Sequence, residues 1–409
     1  MTRSRKRLLL ILGFALSLRL AFVLRVPQAP IVNDAAEYDQ EAHVLAFGNE
    51  SGVQISKGPL YPMFLAALYR FFGHDQQAVR VVQALISSLS VLLIYAIGRA
   101  VFHERVGVIA SALAAIYPPF ISYSGWLLTE TLSVFLLLAL VYALIRAIHY
   151  SPRAARWMVA GVLGGLLALN REEMLVVVGL LALALWRLRI SRRLLVAFVL
   201  AALATMLPWT VRNYVVFHEL ILVAPGGGAG LWISSYEAEW LEWHPENPHY
   251  QSLVAGLSPI EADRKLRREG IKNILSHPRV YLKLCLKRIP RFWLGGHSNT
   301  FVHLERSLGT YLAQRDYLKA SIKLAMLAFN LGLIALGFAG VYLAWRLGVA
   351  DPRHLTVMAL PVLAKAGIHV FLFADLRYQV PIMSLLILFA AFTIWHVRRV
   401  VADLVPAHA

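Results

Sequence analysis

Residues 194–211 read LLVAFVLAALATMLPWTV, a stretch of eighteen residues without a charged side chain. A helix of this length and apolarity is long enough to cross the hydrocarbon core of a bilayer. Nine further apolar runs follow the same pattern, so the sequence predicts an all-α polytopic membrane protein with about ten transmembrane helices. The predicted runs cover residues 8–25, 79–102, 107–122, 126–147, 157–169, 174–188, 194–211, 321–346, 355–373 and 379–396.

The composition supports membrane insertion. Of the 409 residues, 59% are hydrophobic and 15% are charged, whereas about a quarter of the residues of a soluble domain are charged. The formal net charge of +17 raises nucleic-acid binding as an alternative. The Lys and Arg residues, however, lie mainly in short turns between the runs, where the positive-inside rule places them. The single cysteine, Cys285, excludes an intrachain disulfide.

The distribution of basic residues also predicts the topology. They fall on alternate short turns, which places both termini on the cytoplasmic side, with a bacterial inner membrane as the expected location. Two long polar insertions, residues 26–78 and 212–320, then face the extracytoplasmic side. No linker separates a soluble domain, so residues 1–409 are interpreted as one transmembrane domain. Arg19 interrupts the first run and no small-residue cleavage site follows it, which favours an uncleaved first span over a signal peptide.

The first external loop contains two predicted helices. Residues 36–47 carry apolar side chains at helical spacing, and Asp34 lies where an N-cap would, which is one interpretation of its carboxylate. Residues 59–72 are too few to span a bilayer and suit an interfacial helix. Lys57 directly precedes this helix, where contact with a lipid headgroup is the alternative to a functional role. Three aromatic residues of the second helix are expected at headgroup depth: Tyr61, Tyr69 and Phe72.

Seven short motifs occur in order along the chain: Asn33–Tyr38, Lys57–Pro62, Leu68–Gly73, Leu128–Thr131, Leu169–Glu172, Pro208–Tyr214 and Leu376–Pro381. As an ordered set they resemble the C-type (GT-C) membrane glycosyltransferases, in the branch of protein O-mannosyltransferases and aminoarabinose lipid A transferases. The stretch Leu169–Glu172 resembles a motif that this family commonly writes with Arg-Pro-Glu. The resemblance covers about residues 8–396 and implies a GT-C-like bundle whose two extracytoplasmic loops carry interfacial helices.

The resemblance also implies roles for two residues. Asp34 matches the first-loop aspartate that these enzymes use as catalytic base, and Lys57 resembles the lysine that contacts the polyprenyl phosphate. Some relatives have an acidic residue where this chain has Ser56. No large soluble C-terminal domain is expected after Arg399, which argues against an oligosaccharyltransferase with its own peptide-binding domain.

The expected reaction explains why these residue types are needed. An acceptor hydroxyl attacks the anomeric carbon of a polyprenyl-phosphate sugar and inverts its configuration. A positioned base contributes about 10²–10⁴-fold to such a step, and a fixed cation stabilises the departing phosphate. Three arginines at outer span ends are further candidates for the phosphate, with topology or headgroup pairing as the alternative: Arg171, Arg212 and Arg377. The predicted substrate-binding residues are Glu37, Tyr38, Tyr61, Glu130, Trp232 and Tyr236.

The second external loop gives weaker signals. Pro225–Gly230 lacks the Lys-Ser/Thr pair of a P-loop and is interpreted as a flexible turn near the acceptor entrance. Aromatic residues beside carboxylates follow it at 232–243, and both sugar binding and an interfacial aromatic belt remain open. Residues 260–290 alternate basic and apolar side chains at helical spacing, which predicts an amphipathic helix on anionic headgroups.

No cofactor is required by the expected reaction. The histidines at 244, 249, 297 and 303 match no zinc-ligand spacing. Asp34, Glu37 and Asp39 leave a divalent cation open as an alternative.

The sequence therefore predicts a glycosyltransferase. Its partners would be a polyprenyl-phosphate sugar donor, a lipid, glycan or protein acceptor and membrane lipids, and not a nucleic acid. One alternative is a transporter or flippase of lipid-linked glycans, which is expected to place polar groups near the bilayer midplane in repeated halves. A second alternative is a non-catalytic assembly subunit, in which Asp34 and Lys57 would be dispensable.

Overall fold

The computed structural model describes residues 3–25, 33–48, 57–150, 153–235 and 248–404. Within these ranges the secondary structure is helical throughout, without strands. The α-helices are α1 (Arg3–Arg25), α2 (Asp34–Phe47), α3 (Leu60–Phe72), α4 (Gln76–Val101), α5 (Glu104–Ile116), α6 (Pro118–Ser122), α7 (Glu130–His149), α8 (Ala154–Asn170), α9 (Met174–Arg187), α10 (Arg192–Phe217), α11 (Gly227–Ser235), α12 (Pro248–Val254), α13 (Pro259–Ser276), α14 (Pro278–Trp293), α15 (Ser298–Val302), α16 (Leu308–Ala313), α17 (Tyr317–Arg346), α18 (Pro352–Phe371) and α19 (Val380–Leu404), with a 3₁₀ turn at Leu376–Gln379 before α19.

All ten predicted apolar runs form helices, which confirms the all-α polytopic class. In the described chain, seven helices are long and apolar enough to cross a membrane. The other three runs form shorter helices, α5, α8 and α9. Two prolines, Pro118 and Pro119, follow α5, and the polar turn Arg171–Glu173 separates α8 from α9.

The last helix lies at the centre of the bundle. Its residues from Ile382 to Ala391 are completely buried, and α19 packs against α17 on one side and against α5 and α7 on the other. Gly340 of α17 lets the two backbones approach, because a Cβ there would lie 2.2 Å from the carbonyl oxygen of Phe389. Helices α2 and α3 of the first loop and α11 to α16 of the second loop lie at one end of this bundle, which we call the loop face.

The charged residue inside the first run has a structural explanation. Arg19 is fully buried, and its guanidinium donates to Ser87 Oγ at 2.7 Å and to the carbonyl oxygens of Ala15, Ala114 and Ala115 at 3.0–3.2 Å. Two of these carbonyls belong to the last turn of α5, whose acceptors have no partner within the helix. Arg19 therefore joins α1 to α4 and α5.

Close packing of α8 against α10 gives the first testable prediction. A Cβ at Gly161 would lie 2.1 Å from the carbonyl oxygen of Phe198, whereas a Cβ at Gly179 would have no atom within 4 Å. We expect Gly161→Ala to lower the melting temperature of the purified protein, by a free energy on the order of 1–3 kcal/mol. The matched change Gly179→Ala should leave it unaltered. Equal melting curves for the two variants would contradict the close approach of these helices.

The first loop forms the two predicted helices, but two of its details differ from the sequence prediction. Helix α2 begins at Asp34 itself and Asn33 is the N-cap residue, so the N-cap interpretation of Asp34 is wrong. Tyr61 and Tyr69 are completely buried within the protein and do not face lipid headgroups. They face α2, where the rings of Tyr61 and Tyr38 meet edge to face at 5.1 Å, while Phe72 is exposed.

The second loop forms several helices in place of the single predicted one at 260–290. Helices α13 and α14 meet at His277, and Pro278 starts the second of them. Residues 225–230 do not form a flexible turn, because Gly227 begins helix α11. Asp263 of α13 accepts a hydrogen bond from the Gly228 amide at 2.7 Å and holds the start of α11 against α13.

Candidate active site

The first-loop lysine is positioned by close backbone packing. Gly58, which follows Lys57, lies against the end of α8, where a Cβ would come within 2.6–2.7 Å of the carbonyl oxygens of Leu169 and Asn170. Any side chain at residue 58 would push this segment away from the bundle. Glycine therefore keeps Lys57 beside the turn that links α8 and α9.

Asp34 lies between two cations. Its carboxylate accepts a hydrogen bond from Lys57 Nζ at 2.5 Å and another from Arg377 of the 3₁₀ turn. Lys57 also pairs with Glu37, one helical turn further along α2, at 2.5 Å. About a quarter of each side chain of Asp34, Lys57 and Arg377 remains exposed. The three groups thus come from distant parts of the sequence and meet at the loop face.

A second charged cluster lies directly beneath this group. Arg171 donates to Glu173 at 2.8 Å, to Thr129 at 2.9 Å and to Glu130 at 3.1 Å. Glu130 is almost fully buried and lies 4.0 Å from Arg377 as well. It therefore serves as a shared counterion of the two arginines and faces away from solvent.

Tyr378 connects the two clusters. Its ring lies 4.7 Å from the guanidinium of Arg171 and 5.0 Å from that of Arg377, distances typical of cation–π contacts. The ring of His369 stacks on Tyr378 with centroids 4.3 Å apart. Below them, Lys365 of α18 is completely buried and donates to Glu173 at 2.9 Å. Charges of alternating sign thus extend from the loop face into the bundle.

A cavity of about 540 Å³ opens over these groups at the loop face. The lining comes from the first loop, the Arg171–Glu173 turn, the 3₁₀ turn and helices α11 and α14 of the second loop. The lining residues are Asp34, Tyr38, Lys57, Gly58, Asn170, Arg171, Glu172, Glu173, Ala229, Gly230, Ile233, Arg291, Phe373, Arg377 and Tyr378.

The pKa values of two carboxylates in this cavity differ from their usual values, one being lowered and the other raised. Burial raises the pKa of Asp34, but Arg377 and Lys57 lower it by more, so that it falls to about 2. Burial and the neighbouring Glu173 raise the pKa of Glu172 to about 7. The stabilisation from the Asp34 ion pairs is therefore present above the ordinary pKa of an aspartate and is lost as the pH falls towards 2. Near neutral pH, Asp34 is therefore fully ionised, whereas Glu172 is partly protonated.

The structure brings together five of the residues predicted from the sequence. Asp34, Tyr38, Lys57, Arg171 and Arg377 all line the cavity. Glu37 is adjacent through its ion pair with Lys57.

Four other predicted residues do not line the cavity. Tyr61 is buried behind Tyr38 and donates to Gln83 at 2.8 Å, and Glu130 is the buried counterion described above. Arg212 lies over the ring of Trp209 at 4.7 Å. Trp232 is completely buried in the core of the second loop, next to Leu266. Tyr236 lies outside the described residues.

Several lining residues were missed by the sequence analysis: Glu172, Glu173, Arg291, Phe373 and Tyr378. Glu172 and Tyr378 belong to motifs that were recognised, but only the arginine of each motif was selected. Lys365 and His369, which lie beneath the cavity, were recognisable from the sequence alone, because ionisable residues inside an apolar run mark functional or structural networks in membrane proteins.

The three carboxylates considered for a divalent cation do not converge. Glu37 pairs with Lys57, whereas Asp39 accepts hydrogen bonds from Tyr69 and from His74 at 3.0 Å. Among the described residues, no group of three or more His, Cys, Asp or Glu side chains is placed to hold a metal ion.

Comparisons with known proteins agree with the resemblance inferred from the motifs. Residues 56–211 match the dolichyl-phosphate-mannose-protein mannosyltransferase family. No curated protein matches the sequence.

Three solved structures illustrate the structural similarity. The archaeal oligosaccharyltransferase AglB from Archaeoglobus fulgidus, in complex with an inhibitory peptide and a dolichol-phosphate, is 16% identical with a TM-score of 0.58, over 99% of this chain and 52% of that one. The oligosaccharyltransferase of the same organism tethered to an acceptor peptide is 14% identical with a TM-score of 0.58, over 99% and 51%. ArnT from Cupriavidus metallidurans bound to undecaprenyl phosphate is 16% identical with a TM-score of 0.43, over 94% and 77%.

The chain thus spans about half the length of the two archaeal structures. Its fold is similar to that of these archaeal oligosaccharyltransferases, and its residues 56–211 match the mannosyltransferase family, which agrees with the resemblance inferred from the sequence.

Proposed function

We propose that this protein is a membrane glycosyltransferase that moves a sugar from a polyprenyl-phosphate donor to a hydroxyl of a lipid, glycan or protein acceptor. The observation that carries the proposal is the position of Asp34 between Lys57 and Arg377 in a cavity at the loop face. A carboxylate beside two cations supplies both groups that the reaction needs, a proton acceptor and a binding site for phosphate. The family match over residues 56–211 supports the same chemistry.

In the proposed reaction, the acceptor oxygen forms a bond to the anomeric carbon as the bond from that carbon to the phosphate oxygen breaks. The polyprenyl phosphate leaves with the bonding electron pair, and the acceptor proton passes to the Asp34 carboxylate. Attack opposite to the leaving group inverts the anomeric configuration. Asp34, Lys57 and Arg377 are the residues that touch the reacting groups in this proposal.

The low pKa of Asp34 is compatible with this role once the donor is bound. Two cations stabilise the carboxylate in the free site and make it a weak base. A donor phosphate that takes hydrogen bonds from Lys57 and Arg377 draws both cations away from Asp34 and adds a negative charge nearby. Both changes raise the pKa of Asp34. Donor binding would therefore activate the base, and an empty site would not.

We place the loop face outside the cytoplasm. The opposite end of the bundle carries most of the basic residues of the short turns, which by the positive-inside rule mark the cytoplasmic side. These residues include Arg99, Arg105, Arg146, Arg153, Arg187, Arg192, Arg193, Arg346 and Arg353. Both termini are then cytoplasmic.

The direct test is transfer of radiolabelled sugar from a polyprenyl-phosphate donor by the purified protein in nanodiscs, in the presence of a membrane extract as acceptor source. We expect label to leave the donor and to appear in an acceptor. A protein that binds the donor but leaves the sugar on it would be a carrier instead, and the proposal would be wrong.

Replacement of Lys57 tests the phosphate site. A charge-assisted hydrogen bond contributes about 1.5–3 kcal/mol, so we expect Lys57→Ala to weaken binding of polyprenyl phosphate by about ten- to a hundredfold. The matched change Lys319→Ala removes an exposed lysine of the loop face that pairs with Asp316 at 2.7 Å outside the cavity. It should bind like the wild type. Unchanged binding by Lys57→Ala would assign the phosphate to other cations.

A further inference from the structure

Glu172 occupies an unusual position in the turn between α8 and α9. With Arg171 aligned to the arginine of the Arg-Pro-Glu motif, Glu173 matches the glutamate and Glu172 replaces the proline. The backbone still suits a proline, because Arg171 is extended at φ −149° and ψ 117°, the region that a residue before proline prefers. The Glu172 amide donates no hydrogen bond within the described chain. The backbone therefore does not require a glutamate here.

The carboxylate of Glu172 is unpaired. Across the described ranges it makes no hydrogen bond or ion pair, although it lines the cavity. The two nearby cations are occupied: Arg171 bonds Glu173 and Glu130, and Lys57 bonds Asp34 and Glu37. The Glu172 side chain is exposed, so its carboxylate is available to a molecule that enters the cavity.

The charges around Glu172 come from three parts of the fold. Burial and Glu173 raise its pKa, and so does Asp263 of α13, whereas Arg171 and Lys57 lower it. The result, about 7, means that Glu172 is mostly ionised at pH 8 and mostly neutral at pH 6.

The charge of Glu172 makes it unsuited to contact the donor phosphate. A donor phosphate is attracted to Lys57 and Arg377 and repelled by the Glu172 carboxylate. Glu172 is therefore left to contact the other substrate. Gly230 and Ile233 of α11 line the same cavity.

We propose that Glu172 determines acceptor specificity, accepting a hydrogen bond from an uncharged, hydroxyl-bearing acceptor and excluding acceptors with a phosphate, sulfate or carboxylate near the attacked hydroxyl. This inference rests on the proposed function, since it assigns the second substrate of that same site. A fixed charge in a binding site discriminates against ligands of like charge by repulsion, in addition to the contacts that favour the correct ligand.

This role can be tested by measuring how the two probes bind to protein that already holds polyprenyl phosphate. This lipid carries no sugar, so no transfer takes place during the measurement. The protein is placed in nanodiscs with polyprenyl phosphate, and two probes are titrated: dodecyl glucoside, and its 6-sulfate, which keeps a negative charge at every pH used. At pH 8 we expect the wild type to bind the neutral glucoside at least about tenfold more tightly. At pH 6 this preference should decrease, because Glu172 becomes protonated.

Three variants complete the test. Glu172→Gln removes the charge and keeps the shape, and Glu172→Pro restores the residue of the resembling motif. Both should reduce the preference at pH 8 to less than about threefold and remove its pH dependence. Glu305→Gln neutralises an exposed carboxylate outside the cavity and should retain the wild-type preference.

The inference would be overturned by the same preference in wild type and Glu172→Gln, or by the absence of binding of both probes to the wild type. Failure of the proposed function gives a different result. In that case the wild type transfers no sugar from the donor to any acceptor, whichever glucoside it binds.

Discussion

Asp34→Asn is expected to slow sugar transfer by about 10²–10⁴-fold, the usual contribution of a positioned base. The asparagine amide has nearly the same shape but cannot take a proton from the acceptor hydroxyl near neutral pH. Sugar transfer would be measured as release of label from a polyprenyl-phosphate donor under saturating conditions.

Donor binding should respond in the opposite direction. Lys57 and Arg377 both pair with Asp34 in the free site. Asparagine forms weaker bonds to these cations, so they become more available to a phosphate. We therefore expect Asp34→Asn to bind polyprenyl phosphate as tightly as the wild type or more tightly. A residue with only a structural role would lose binding and transfer together.

Asp39→Asn is the matched control, since Asp39 lies on the same helix and bonds Tyr69 and His74 away from the cavity. We expect it to change the melting temperature more than the rate of transfer. If Asp34→Asn transferred sugar at the wild-type rate, Asp34 would not be the catalytic base. Simultaneous loss of transfer and donor binding would make Asp34 a structural residue.

Local patterns in the sequence were sufficient to predict the helices of the fold. An apolar run of about eighteen residues admits few structures in a bilayer, because every backbone polar group must be bonded within the segment. The two helices of the first loop were likewise predicted from spacing. The meeting of Asp34, Lys57 and Arg377 was not visible in the spacing, since Arg377 is more than 300 residues from Asp34. The resemblance implied roles for Asp34 and Lys57, whereas Arg377 was selected only because it lies at an outer span end.

The misplaced residues share a physical cause. Tyr61, Trp232 and Arg212 were selected by residue type and approximate position, and these do not determine the direction in which a side chain points. Tyr61 points into the protein, where its ring meets Tyr38 of α2 and its hydroxyl donates to Gln83 of α4. Trp232 lies in the core of the second loop because α11 packs closely on α13. Such orientations depend on how helices pack against one another.

Glu172 illustrates a different limit. A glutamate at a motif position commonly held by proline is visible in the sequence, but its meaning depends on whether a cation lies within reach. The structure shows that both neighbouring cations are already paired. The hypothesis about the acceptor therefore depends on this arrangement of charges and not on the replacement of the proline alone.

Lys365 is the buried end of the charged network and carries the largest expected effect on stability. It is completely buried within α18, donates to Glu173 at 2.9 Å and lies 5.9 Å from the Tyr378 ring. Glu173 in turn holds Arg171 at the cavity. Lys365 thus acts on the site through Glu173 and is a positioning residue, without contact to the substrate.

Lys365→Met is expected to destabilise the protein by about 3 kcal/mol, because it breaks a buried ion pair and leaves Arg171 as the remaining close cationic partner of Glu173. The double variant Lys365→Met/Glu173→Gln removes both charges and should regain much of the melting temperature. If Lys365 positions Arg171 through Glu173, the double variant will fold but bind polyprenyl phosphate differently from the wild type, since Arg171 then keeps only Glu130 as an acidic partner. A single variant as stable as the wild type, or a double variant no more stable than the single one, would show that Lys365 and Glu173 are not coupled.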